Sequence, residues 1–229
     1  MDNMVAILAT YKLDEQLMRK FLDMNKPAFE ANDVRVIMVC DRDIDLGYSW
    51  AKTLLYPKQL ETFALSKTIN YAIKRAETEG IIIKTDVDIY FTTEVLKYIK
   101  STVKYKQALI CKCANRNGLE NAKTAKWENC NKRTKGRGAC FAMTKQDWFD
   151  FKGYNEKIIG WGGEDCEMYR RVSSRINLKE SIEKPLYHIN HPDRRNNSNG
   201  WWFVNSSTNL KIGKPMDWGN DDWGEAIDR

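Results

Sequence analysis

Three short apolar runs, at residues 5–9, 34–40 and 81–83, are each followed within a few residues by polar ones, and segments of helical periodicity separate them. Between the first two, Leu17, Phe21, Leu22 and Met24 recur at helical spacing over residues 13–29 until Lys26-Pro27, where an interruption is expected. Between the second and third, Ser66 is placed to cap a helix over residues 65–78, with Ile69, Ala72, Ile73 and Ala76 as its buried stripe and Gly80 as its stop. Strand and helix alternating in this way predict an α/β chain: a mostly parallel central sheet flanked by helices. The chain's 229 residues suit one such domain, residues 1–195, with a tail at 196–229. That tail holds Trp201, Trp202, Trp218 and Trp223 and is expected to pack across the catalytic face.

Sheets of this kind bind ligands beyond the C-terminal ends of their strands. Thr10-Tyr11, Asp41 to Asp43 and Asp86 to Asp88 stand there. Further on, a helix over 93–101 and a strand over 108–113 precede a polar stretch with little periodicity, closed by Gly136-Arg137-Gly138. A strand over 139–143, a helix over 145–151 and a helix opened by Gly160 to Asp165 complete the pattern.

Composition excludes some classes. Hydrophobic residues at 42% and charged residues at 30% belong to a globular protein, and no apolar run approaches the ~20 residues that span a bilayer. The first apolar run lacks a basic region before it, so it is a strand and not a signal peptide. Six scattered cysteines without a framework imply reduced thiols and a cytoplasmic setting. Of a net charge of +6, all can be assigned to the stretch between Lys112 and Arg137, which has eight basic residues against two acidic ones. Such a stretch is either a solvated loop or an attractor of phosphates, whether of a nucleotide, a nucleic acid or a lipid surface.

Three constellations carry chemistry. In Asp86-Val87-Asp88, continued strand geometry would put both carboxylates on one side, where oxygen ligands suit Mg²⁺ or Mn²⁺. In Gly160-Trp161-Gly162-Gly163-Glu164-Asp165, glycines allow close approach of the backbone to a ligand. The two acids there fall at a helix start, as either caps or a general base. Tyr187-His188-Ile189-Asn190-His191 carries both histidines of the chain. On a strand they face opposite ways, so at most one reaches a metal.

In this order the pieces resemble the glycosyltransferase A (GT-A) fold, in particular the family-two-like enzymes and the β-1,4-galactosyltransferase group. The resemblance spans residues 4–195 and rests on KTDVDIYF, GRGACFAMTKQDWFDFKGYNE and, most strongly, GWGGEDCEMYRRV. It implies a metal-dependent glycosyltransferase that moves a sugar from a nucleotide-sugar donor, a UDP-sugar, to a hydroxyl of a carbohydrate or glycoconjugate, with inversion. By the same resemblance Thr10 and Tyr11 would touch the nucleoside, Asp41 the base, and Lys67 the donor phosphate or ribose. Asp86 would meet ribose or metal-bound water, Asp88 would be the direct ligand of Mn²⁺ or Mg²⁺, and His188 or else His191 would close the metal shell. Trp161, Gly162 and Gly163 would lie under donor sugar and acceptor, Asp165 would be the catalytic base, and Glu164 would bind sugar or acceptor hydroxyls. Here the acidic motif continues as Cys-Glu, where the galactosyltransferases have further aspartates.

Two other readings use the same residues. The basic segment with Trp127 suits a transferase acting on hydroxymethylated bases of DNA, as in phage enzymes. A non-catalytic carbohydrate- or nucleotide-binding module could keep the same fold.

Overall fold

The alternation becomes β1 (Met4–Ala9), α1 (Glu15–Glu30), β2 (Val34–Cys40), β3 (Ala51–Leu55), α2 (Leu65–Arg75), β4 (Ile81–Thr85), β5 (Ile89–Phe91) and α3 (Thr93–Thr102). There follow β6 (Gln107–Cys111), β7 (Ala114–Arg116), α4 (Leu119–Lys123), a 3₁₀ turn (Trp127–Asn129), β8 (Cys140–Thr144), α5 (Lys145–Asp150), α6 (Glu164–Ser173), β9 (Asn177–Ser181) and β10 (Leu186–Ile189). The structure is a computed structural model that describes residues 3–132, 138–160, 162–190 and 222–226.

Seven strands form one sheet in the order β3-β2-β1-β4-β8-β6-β9. β8 is antiparallel to β4 and β6, and the other described pairs are parallel. Side chains alternate across the sheet as strand geometry requires. Met4, Ala6 and Leu8 of β1 enter a core with α1 and α3; Val5 and Ile7 enter a second core with α2, α5 and α6. Burial on both faces explains why the strands read as continuous apolar runs. Because β1, β2 and β4 are parallel neighbours, their C-terminal ends share one edge. A second sheet, β5-β10-β7, stands beyond that edge, with β10 antiparallel to β5. Buried Asn25 of α1 ties it down, donating to the Ile89 carbonyl at 2.9 Å and accepting from the Phe91 amide at 2.7 Å.

Several expectations are corrected. α1 runs through Pro27 to Glu30, because Ala28 and Phe29 stay buried in the core and offset the lost hydrogen bond in the last turn. Ser66 is not the cap of α2: Ala64 holds that position, and the helix ends at Arg75. The aperiodic stretch after β6 contains β7, α4 and the 3₁₀ turn, elements too short to show a period.

Of the aromatic tail, residues 222–226 are described. Trp223 is buried, Gly224 donates to Glu156 Oε1 at 2.7 Å, and Glu225 pairs with Arg75 at 3.2 Å, so this segment docks on α2. Trp201, Trp202 and Trp218 lie outside the described residues.

Candidate active site

β4 ends at Thr85, and a turn closed by the Ile89 amide on the Asp86 carbonyl (3.3 Å) leads into β5. The turn separates the two acids that continued strand geometry would have aligned. Asp86 folds back, its Oδ1 3.1 Å from Lys84 Nζ. Asp88 faces β10, which pairs His188 opposite Ile89 and donates the Ile189 amide to the Asp88 carbonyl at 2.8 Å. That register brings His188 Nε2 to 3.7 Å from Asp88 Oδ2, both side chains largely buried. Among the described residues no group of three or more His, Cys, Asp or Glu is gathered to hold a metal, so this is a two-residue donor set.

The second half comes from α6. Gly160, Gly162 and Gly163 all have positive φ, +74°, +103° and +100°, a backbone path open to glycine at little cost. It ends with Gly163 as N-cap, so Glu164 and Asp165 occupy the first turn. Asp165 Oδ1 accepts a hydrogen bond from the Tyr154 hydroxyl at 3.2 Å and lies 3.6 Å from Lys84 Nζ. Glu164 is buried, and its Oε2 has no hydrogen-bond partner. Gly138 closes the cluster: its carbonyl accepts from Lys84 Nζ at 2.9 Å, and a Cβ added there would fall 2.3 Å from Asp165 Oδ2.

Charge organises this cluster. Burial opposes the Lys84 ammonium, but Asp165 and Asp86 outweigh it and raise its pKa, so the lysine is charged. Desolvation and then the neighbouring Asp88 and Asp165 push Asp86 up to about 6 against the pull of Lys84, although its side chain keeps 42% exposure. Burial, followed by the charge of Asp165, raises Glu164 to about 7. Burial and Asp165 hold the Tyr154 hydroxyl well above its ordinary value, so it is a donor.

The other expected residues are placed as follows. Thr10 is buried, and its hydroxyl donates to the Val39 carbonyl at 2.9 Å, linking β1 to β2. The Tyr11 hydroxyl donates to the Lys58 carbonyl and accepts from the Leu60 amide, holding the segment after β3. Asp41 pairs with Arg42 at 3.0 Å at the end of β2. Lys67 is half-buried in the first turn of α2. Trp161 and His191 lie outside the described residues. Among the described residues of the basic stretch, Lys112 is buried against Glu180, Lys123 forms an exposed pair with Glu120, and Arg116 contacts Cys130. Arg133, Lys135 and Arg137 lie outside the described residues.

Sequence reasoning missed Lys84, Tyr154 and Gly138. For the first a signal existed: a lone lysine at the end of the isoleucine run of a buried strand requires an anionic partner.

Residues 121–192, which hold Glu164, Asp165 and His188, match the family model described as the N-terminal domain of galactosyltransferase. The catalytic domain of Drosophila β1,4-galactosyltransferase 7 complexed with xylobiose superposes with a TM-score of 0.56 at 12% identity, over 92% of this chain and 79% of that one. The fold is that of the GT-A glycosyltransferases. Other GT-A structures agree. S. aureus TarS 1-349 has a TM-score of 0.54 at 18% identity, over 82% of this chain and 60% of its own. The Pyrobaculum calidifontis mannosyltransferase PcManGT, in complex with GDP-Man and Mn²⁺, gives 0.57 at 15%, over 87% and 59%. The chain thus spans about three fifths of those two and more of the galactosyltransferase domain. No curated protein matches it in sequence. The matched segment and the GT-A fold together support a glycosyltransferase. No helix among the described residues is long and apolar enough to cross a membrane.

Proposed function

We propose that the chain transfers a sugar from a UDP-sugar to a hydroxyl of a carbohydrate or glycoconjugate, using Mn²⁺ or Mg²⁺ and inverting the anomeric carbon. One observation carries the reading: Lys84 Nζ lies 3.1 Å from Asp86, two residues before Asp88 with its neighbour His188, and 3.6 Å from Asp165 at the start of α6. A candidate metal pair and a candidate base therefore flank one lysine at the ligand-binding edge of the sheet. Relatives in fold lend support, among them a mutant of the Drosophila enzyme in complex with manganese, UDP-Gal and xylobiose, and TarS with UDP-GlcNAc.

Asp88 Oδ2 and His188 Nε2 would hold the metal. Neighbouring ligand atoms on a metal bonded at ~2.1 Å stand ~3 Å apart, so a small adjustment of the 3.7 Å pair suffices. Mg²⁺ and Mn²⁺ accept few protein ligands and leave positions for water and substrate phosphates. When bound, such an ion would neutralise charge on the departing nucleoside diphosphate.

The chain's own residues do the rest. Tyr154 and Lys84 both engage Oδ1 of Asp165, so Oδ2 is the oxygen that takes the proton of the acceptor hydroxyl. The acceptor oxygen bonds to the anomeric carbon as the bond to the diphosphate breaks on the opposite side, and the configuration inverts. Glu164, raised to about 7, keeps its proton in much of the population near neutrality and through it donates a hydrogen bond to a sugar or acceptor hydroxyl. Asp86 meets ribose or bound water, while Thr10, Tyr11, Asp41 and Lys67 border the nucleotide, with Trp161, Gly162 and Gly163 under the sugars. The comparisons lend no support to a nucleic-acid acceptor, and the buried ion pair of Lys112 with Glu180 leaves one cation fewer to face one.

A panel of nucleotide sugars incubated without metal, with Mn²⁺ and with Mg²⁺ tests the proposal. Release of nucleoside diphosphate from one donor class, dependent on the metal, is expected; no turnover of any donor with either ion contradicts it.

A further inference from the structure

Lys84 enters the step above only through its contact with Asp165, yet it sits at the centre of the acid cluster. It is 1% exposed, on the same face of β4 as Ile82, with Ile7 of β1 and Phe141 of β8 beside it in register. An ammonium has three protons to donate. Two oxygens lie within hydrogen-bond distance of this one, the Gly138 carbonyl at 2.9 Å and Asp86 Oδ1 at 3.1 Å, and Asp165 Oδ1 forms an ion pair with it at 3.6 Å.

Stability alone is a poor reason for such a residue. A buried ion cluster contributes little net free energy, and apolar side chains in place of all its members would pack as well. What an apolar side chain cannot do is aim a carboxylate. The Gly138 carbonyl and Asp86 fix the ammonium from strand β4's own end and from the segment before β8. The ammonium in turn holds one oxygen of Asp165, a residue of α6. Gly138 fits between them because it has no Cβ, which would stand 2.3 Å from Asp165 Oδ2 and 3.2 Å from Lys84 Nζ.

We propose that Lys84 is a positioning residue for sugar transfer: anchored by Asp86 and the Gly138 carbonyl, it holds Asp165 by Oδ1 and presents Oδ2 to the acceptor hydroxyl. The inference rests on the reading of Asp165 as the base. It makes Lys84 act on the rate of transfer through Asp165, whereas any effect on donor affinity would run through its other carboxylate, Asp86. Displacing a catalytic group by 1 Å costs on the order of a hundredfold in rate.

The test is a double-mutant cycle on the full chain with Mn²⁺ and whichever nucleotide sugar the wild type turns over. It comprises Lys84→Met, Asp165→Asn and the pair, with kcat for transfer measured beside donor Kd by calorimetry. Lys84→Met is expected to lower kcat about a hundredfold, well beyond any change in donor Kd passed on through Asp86. In the Asp165→Asn background it should cost less than about threefold more, because the group it positions is already gone. A Lys84→Met enzyme with wild-type kcat, or one in which kcat and donor affinity fall together, overturns the proposal. So do fully additive losses. If Asp165→Asn transfers sugar at the wild-type rate, it is the underlying assignment of the base that fails. Should Lys84→Met not fold, Lys84→Gln, which is uncharged and one bond too short to reach Asp165, decides by the same comparison: a fall in kcat larger than any in donor affinity supports the proposal, and an unchanged kcat rejects it.

Discussion

The Tyr154 hydroxyl donates to Asp165 Oδ1 across 3.2 Å, joining the loop after α5 to the first turn of α6. Tyr154 is itself locked in place: Asn70 of α2 accepts from its amide at 2.7 Å and donates to its carbonyl at 2.8 Å. Arg171, paired with Glu167 inside α6, donates to the Phe151 and Gly153 carbonyls just before it. The carboxylate proposed as base is therefore oriented by a scaffold of buried polar contacts.

Removal of the hydroxyl in Tyr154→Phe keeps the ring and its packing on Trp148. A lost hydrogen bond to a charged group corresponds to roughly 1.5–3 kcal/mol, so kcat should fall at least about tenfold. Donor Kd should not change. Steady-state kinetics beside calorimetry would read both, and an unaltered kcat would show that the hydroxyl does not orient the base.

Metal affinity is expected to depend on the β5–β10 register. His188→Ala should raise the Mn²⁺ concentration for half-maximal turnover by at least the ~10–100-fold typical of losing an outer-shell partner. Asp88→Asn should do the same. Manganese titration followed by electron paramagnetic resonance would report it, and an unchanged titration in both variants would rule the pair out as ligands.

The fold was legible where an element carries its own pattern. β1, β2 and β4 are buried on both faces, and α1, α2 and α6 bury one stripe, so apolar spacing alone marks them. β5 and β7 have three residues each and bury what they do only because β10 lies between them. Their pairing is a long-range event with no local period. The candidate site divides the same way. Asp86, Asp88, Glu164, Asp165 and His188 stand in recognisable local motifs. Lys84, Gly138 and Tyr154 meet Asp165 from three separate segments, and only the folded chain brings them together.

Glu164 should make the metal-free protein less stable as pH rises. Its pKa of about 7 in the folded chain lies above the ordinary 4.5, so the native state holds the proton longer. The stability from that proton is fully present below about 4.5 and is lost as pH rises through about 7. The loss is on the order of 3 kcal/mol. Asp86, raised to about 6, acts in the same direction. Thermal melts between pH 4.5 and 7.5 should show a declining Tm, and Glu164→Gln should flatten most of the slope; an identical slope in that variant would assign it to other groups.

Gly138→Ala places a methyl group where Asp165 Oδ2 now stands. The variant should fold with a loss of about 1–3 kcal/mol, as overpacking typically costs, and should lose transfer through displacement of the carboxylate. Circular dichroism melts together with kcat would separate the two effects. Wild-type kcat in this variant would mean that Asp165 has room the structure does not show.

The central claim is that Asp165 performs base chemistry on a metal-assisted donor. Its most direct measurement is the rate of sugar transfer from the preferred nucleotide sugar, with Mn²⁺ and after its chelation, in wild type and Asp165→Asn. The expected result is transfer that stops on chelation and falls at least about a hundredfold in Asp165→Asn, the lower end of the range for a general base, while donor still binds. Transfer that survives both chelation and the substitution would contradict the account.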